Sequence, residues 1–173
     1  MTLQQTPEIQ DRPDVPYVGV TCAVTMSTMA SAADRLPEVF AWLAARGVEP
    51  AGPPFFRYLV VDMERELVLD VGVPVAAPVP DDAPPVGAVV APGPRSGTLP
   101  AGRYAVVRHR GHPDELEGAT GDLLAWAADQ GLAWDADAGQ RAWGARVEHY
   151  LTDPADEADM ARWEHELAFR LAD

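Results

Sequence analysis

Two stretches of the chain, "VFAWLAARGVEP" from Val39 and "LLAWAADQGLAW" from Leu123, superpose at a single offset. Trp42 meets Trp126 and Gly47 meets Gly131, each pair 84 residues apart. An internal repeat of that length constrains a chain of 173 residues more than any other feature, because it asks for two similar halves that share one core. Each stretch ends a helical pattern. From Ala33 to Arg46, apolar residues recur at Leu36, Val39, Phe40, Leu43 and Ala44, with Pro37 in the first turn and Gly47 as the stop. From Pro113 to Gln130 the stripe is Leu116, Ala119, Leu123, Leu124 and Ala127, stopped by Gly131.

Around these helices the sequence alternates or carries β-formers over Tyr17–Met26, Phe56–Met63, Leu67–Val75, Arg103–Arg110, Trp143–Leu151 and Glu164–Leu171. Each half therefore reads strand, helix, strand, strand. The domain boundaries expected are an N-terminal extension over 1–16, repeat one over about 17–77, a linker over about 78–100 and repeat two over about 101–171. Prolines and glycines in "AAPVPDDAPPVGAVVAPGPRSGTLP" forbid a long helix or a central strand there. Its centre, Val86–Ala91, is apolar enough for an edge strand. The architecture expected is α+β: two βαββ units joined into a pseudo-twofold antiparallel sheet, both helices on one face and the other face open.

Charge narrows the function. Thirteen Lys and Arg against 27 Asp and Glu give −14, which repels a phosphate backbone, so no nucleic-acid partner is expected. No apolar run approaches the length of a membrane span, and the N-terminus has neither the basic start nor the apolar stretch of a signal peptide. The single cysteine, Cys22, cannot form an internal disulfide. A cytoplasmic protein without membrane contact is expected.

Familiar catalytic signatures are missing. The glycines mark turns and match neither a P-loop nor a dinucleotide fingerprint, and no nucleophile elbow occurs. His109 and His112 in "RHRGH" lie on a strand broken by Gly111, and His149 and His165 read as partly exposed strand positions. No metal and no cofactor are expected. What remains are strand aromatics and one carboxylate, Glu148 in "RVEHYLTDP". Strand alternation puts Arg146, Glu148 and Tyr150 on one face, and Val147, His149 and Leu151 on the other.

Several of these pieces together resemble the GyrI-like family, also described as the effector-binding domain of AraC-type and multidrug-responsive regulators. They are Gly102-Arg103-Tyr104-Ala105, His109-x-Gly111, then Leu116, Leu124, Trp126 and Gly131, with "GPPFFRYLVVD" and "LVLDVGVPV" as a central hairpin and "VEHYLTDP" as a final Glu-x-Tyr strand. The resemblance runs from Tyr17 to Leu171 and implies an SHS2-like pair of βαββ units with a ligand cleft on the face away from the helices. It further implies that Glu148 matches the family's central acidic residue. Glu148 and Tyr150 would then face the cleft, with Phe56, Tyr58, Tyr17, Tyr104, Trp143 and Arg146 as the other ligand-binding candidates, while Val147 and Leu151 pack under the helices. The DNA-binding region of the regulators has no counterpart in the roughly sixteen residues before the first strand, so the chain resembles the stand-alone members.

Three functions follow from the resemblance. The first is binding of an aromatic, cationic or amphipathic small molecule, for which a carboxylate among aromatic walls suffices. The second is hydrolysis that opens cyclopropyl rings of DNA-alkylating natural products, with Glu148 as base or electrostatic stabiliser and Tyr58 or Tyr150 as proton donor. The third is inhibition of a protein partner such as DNA gyrase through an acidic surface. Catalysis needs a placement that spacing does not supply, so binding leads. Arg146, on the same strand face as Glu148, would partly neutralise it if the two paired.

Overall fold

The computed structural model describes residues 3–80 and 93–173. The strands are β1 (Glu8–Arg12), β2 (Val15–Val24), β3 (Phe55–Val61), β4 (Leu67–Pro74), β5 (Arg95–Leu99), β6 (Gly102–Arg110), β7 (Ala142–Tyr150) and β8 (Glu164–Arg170). Helices α1 (Ala30–Ala33) and α2 (Leu36–Ala45) follow β2, and α3 (Leu116–Asp129) follows β6. All strands pair antiparallel in one sheet of order β1-β6-β8-β7-β3-β4-β2-β5. The two βαββ units meet at β7 and β3, and the sequence repeat is the axis of the fold. Gly47 and Gly131, the matched helix stops, have left-handed φ values of 66° and 69°, where a side chain would be strained.

Residues 8–12, expected to lie in an N-terminal extension, form β1 instead. Each half's leading strand is exchanged: β1 precedes β2 but pairs with β6, and β5 precedes β6 but pairs with β2. The exchange dictates the shape. Laid flat, the sheet would separate β1 from β2 by six strand spacings, roughly 29 Å, yet only Pro13 and Asp14 join them, a reach of about 11 Å. The β5–β6 joint, Pro100 and Ala101, meets the same constraint, so the sheet curls until its edges approach. The joints then touch, Asp14 Oδ1 accepting from the Ala101 N–H at 2.6 Å. The edge strand expected at Val86–Ala91 lies outside the described residues; β5, nearer the second repeat, takes the edge beside β2.

Register decides which side chains share a face. One row of cross-strand partners runs Val107, Leu167, Glu148, Phe56, Val71, Val20 from β6 to β2. Val107 and Leu167 pack under Leu116, Ala119 and Leu123 of α3, while Val20 packs under Val39 and Leu43 of α2. Both helices therefore lie on this one face. Each such fully buried Leu or Val contributes about 1.5–3 kcal/mol. Phe40, expected on the buried stripe of α2, is 37% exposed, because the ten-residue helix seats on Leu36, Val39 and Leu43 and carries Phe40 round to its flank.

The next row, Val106, Ala168, Val147, Arg57, Asp70, Thr21, lines the inside of the curl. There Tyr17 and Phe55 form an edge-to-face pair with centroids 5.0 Å apart. Gly72 and Gly97 make room for it, since a Cβ on either would come within 2.7 Å of one of the two rings.

Candidate functional site

Each helix covers an outer pair of strands, α2 over β2 and β4 and α3 over β6 and β8, leaving the central strands β3 and β7 between them. Their helix-side residues lie between the cores under the two helices. Phe56 and Tyr58 come from β3, and Arg146, Glu148 and Tyr150 from β7. Met29 and Leu36 pack on the core that holds Phe56 and Tyr58, Trp143 and Phe169 belong to the core under α3, and Tyr150 touches both. Glu148 and Tyr150 are surrounded by protein yet keep part of their surface accessible.

Glu148 Oε2 accepts two hydroxyl hydrogen bonds, from Tyr150 at 2.8 Å and Tyr58 at 3.2 Å. Among the described residues nothing donates to Oε1. Burial raises the Glu148 carboxyl above its usual range, against the two tyrosine hydrogen bonds and the Arg146 charge that favour ionisation. Burial, then the charge of Glu148, pushes both tyrosines well above theirs, so they stay protonated donors. Around this carboxylate the rings are close, Phe56 lying edge-to-face on Tyr150 at 4.9 Å and Tyr150 on His165 at 5.7 Å.

Arg146 does not close an ion pair with Glu148. Its guanidinium lies over Trp143 at 4.9 Å, Phe169 at 5.0 Å and Tyr58 at 5.9 Å, held by ring quadrupoles. The protein thus places a cation of its own in the aromatic box beside the carboxylate. Arg146→Met, which removes a positive charge from beside Glu148, should strengthen binding of an organic cation there by about fivefold, the ~1 kcal/mol effect of one screened like charge. Calorimetric titration reads it, and unchanged affinity would mean that Arg146 does not oppose the ligand.

The eight sequence candidates divide between the two faces. Glu148, Tyr150, Phe56, Tyr58, Trp143 and Arg146 come together on the helix face, whereas Tyr17 and Tyr104 lie inside the curl. Glu148 and Tyr150 do not face away from the helices, and it is Val147 that does; the row through Leu167 and Phe56 fixes this. Trp143 reaches the helix face because β7 is irregular between Ala142 and Arg146, opposite Tyr58 and Val60.

Sequence reasoning missed a second set of polar residues. Asp70 is fully buried and accepts from the Tyr17 and Thr21 hydroxyls, each at 2.5 Å. Arg57 donates to the Tyr17 hydroxyl at 3.0 Å, to Thr98 O at 2.9 Å and to Gly144 O at 2.7 Å. A signal was present, since one charge interrupts each of the apolar runs "FFRYLVV" and "LVLDVGV". His165, expected to be partly exposed, is 1% exposed. Among the described residues no three His, Cys, Asp or Glu side chains converge on a metal site, and no helix is long and apolar enough to cross a membrane.

Residues 5–172 match the GyrI-like small molecule binding domain family. No curated protein matches by sequence. Among solved structures, the EcmrR C-terminal domain is 18% identical with a TM-score of 0.70, over 98% of this chain and 99% of that one. EcmrR in its DNA complex gives 0.74 at 17% identity over 96% of this chain, which spans 57% of the EcmrR chain. SAV2435 bound to tetraphenylphosphonium gives 0.64 at 10% identity, covering 97% and 94% of the two chains. A hydrolase from Listeria innocua gives 0.59 at 15% identity, covering 99% and 94%. At such identities these likenesses speak to the fold.

Proposed function

The chain belongs to the GyrI-like small molecule binding domain family, and on that premise we propose that it binds aromatic cations beside Glu148, between α2 and α3. One observation carries the reading: Glu148 Oε1 has no donor among the described residues, beside Phe56, Tyr58, Tyr150 and Trp143. A carboxylate so placed is costly to desolvate unless a positive charge compensates it, and rings accept the flat or bulky apolar remainder of such a ligand. The tetraphenylphosphonium held by SAV2435 is a compound of this class and supports the choice of probe. A net charge of −14 adds a favourable long-range field for cations and supports the absence of a nucleic-acid partner. The lone, buried Cys22 suits a reducing cytoplasm.

Glu148→Gln separates charge from shape. The variant should weaken tetraphenylphosphonium by about 1–3 kcal/mol while leaving neutral triphenylphosphine oxide nearly unchanged. It should also stabilise the unliganded protein at neutral pH. Burial raises the folded-state pKa of Glu148, so between its unfolded and folded values the native state holds more protons and stability falls as pH rises. Calorimetry and urea unfolding on the same samples test both effects, and equal losses for the two ligands would refute the charge reading.

Hydrolysis is the second reading, favoured by two tyrosine hydroxyls sharing one oxygen of a carboxylate whose pKa burial raises. Product analysis after incubation with a cyclopropyl-containing alkylator decides between the readings, since turnover selects the enzyme.

A further inference from the structure

The inside of the curl, on the opposite face of the sheet from Glu148, holds a cavity of about 130 Å³. Its walls include Val15, Phe55, Tyr104, Val147, His149 and Ala168. The volume is close to the ~150 Å³ at which an apolar protein cavity accepts one benzene ring. Few polar groups reach it. The Tyr104 hydroxyl is already used, donating to Pro100 O at 2.6 Å, so Tyr104 offers its ring. Arg12 carries the one charge among the lining residues, and it donates to Glu166 Oε1 at 2.8 Å and to Gln10 Oε1 at 2.9 Å. His149 differs. Its ring is tilted against Phe55 at 5.6 Å, and no described group hydrogen-bonds either ring nitrogen.

We propose that this cavity is a second ligand site, for a neutral monocyclic aromatic molecule bearing one hydrogen-bonding group, with Val15 and the edge of Tyr104 contacting the ring and His149 the polar group. Neutrality follows from the lining, because Arg12 is compensated by Glu166 and a charged guest would be desolvated without a partner. One polar group follows from His149, whose neutral imidazole presents one donor and one acceptor; burial lowers its pKa to about 4. Consecutive residues of β7 thus serve different chemistries, Glu148 pointing to a cation site on one face and His149 to a neutral aromatic site on the other. The second site does not depend on what the first binds.

Phenol is the probe, and NMR of the full chain is the measurement. Saturable shifts are expected at the Val147 and Ala168 methyls and the His149 ring, with little change at Tyr150 and Trp143. Ala168→Leu, which fills the cavity, should weaken phenol by at least about tenfold while leaving tetraphenylphosphonium affinity as in the wild type. Val15→Phe, at the partly exposed end of the wall, should do the same and stands in if the buried substitution disturbs folding. Wild-type shifts centred on Tyr150 and Trp143, or no saturable shift up to the solubility of phenol, would overturn the assignment. So would wild-type phenol affinity in a folded cavity-filling variant.

Discussion

Asp70→Ala is expected to destabilise the fold by about 3–5 kcal/mol, the cost of removing one partner from a buried charged cluster. The carboxylate is fully buried between the Tyr17 and Thr21 hydroxyls, and the charges of Arg57 and Arg95 act on it. Without it, two hydroxyls lose their acceptor and the buried Arg95 loses a nearby negative charge. The damage spreads because the cluster joins elements distant in sequence. Arg57 on β3 holds Thr98 on the exchanged strand β5 and Gly144 on β7 of the other repeat. Burial raises the Asp70 pKa, so ionisation itself carries a cost that Asp70→Asn removes while keeping one acceptor. Asn should therefore lose less than Ala. Urea unfolding of the three proteins at pH 7 measures this, and an alanine variant within about 1 kcal/mol of wild type would show that the cluster contributes little.

The parts legible in the sequence are those that local physics controls. Gly47 and Gly131 announced both helix ends, and Leu116, Ala119 and Leu123 announced the buried stripe of α3, because these signals need no knowledge of the partner surface. The Glu-x-Tyr alternation likewise placed Arg146, Glu148 and Tyr150 together. Which face they occupied was not legible. β4 is buried at Leu67 through Val73 without a break, so both sides of the curled sheet read as core and alternation loses its sign. Only the register row from Val107 to Val20 restores it. The exchanged strands escaped for a related reason. "EIQDR" has no apolar alternation, and its stability comes from pairing with β6, a partner some 95 residues away in sequence.

Acidification gives the other large effect. His165 and His149 both titrate at about 4 in the folded protein, against an ordinary value of 6.5, and burial is the first cause in each. Around His149, the Glu166 charge opposes the shift and Arg12 adds to it; around His165, the His109 and His112 rings lower the value while a hydrogen bond to the His109 backbone and the Glu115 charge raise it. Between pH 6.5 and 4 these two histidines therefore bind more protons in the unfolded chain than in the native state, and their contribution to stability falls as pH falls. A lowering of that size corresponds to roughly 3 kcal/mol for His165, which is 1% exposed, and to less for the partly accessible His149. Glu148 and Asp70 act with the opposite sign, since burial raises both, so the wild-type profile is a difference between the two sets. His165→Phe isolates the histidine contribution. Its ring can keep the edge-to-face contact with Tyr150, and the one hydrogen bond it gives up is that of the imidazole to the His109 backbone. Unfolding free energies at pH 7, 5.5 and 4 should show the variant falling less steeply than wild type by up to roughly 3 kcal/mol over the range. Parallel profiles would mean that His165 protonates in the folded protein without cost, and that the wall between α3 and Tyr150 opens to water before the fold is lost.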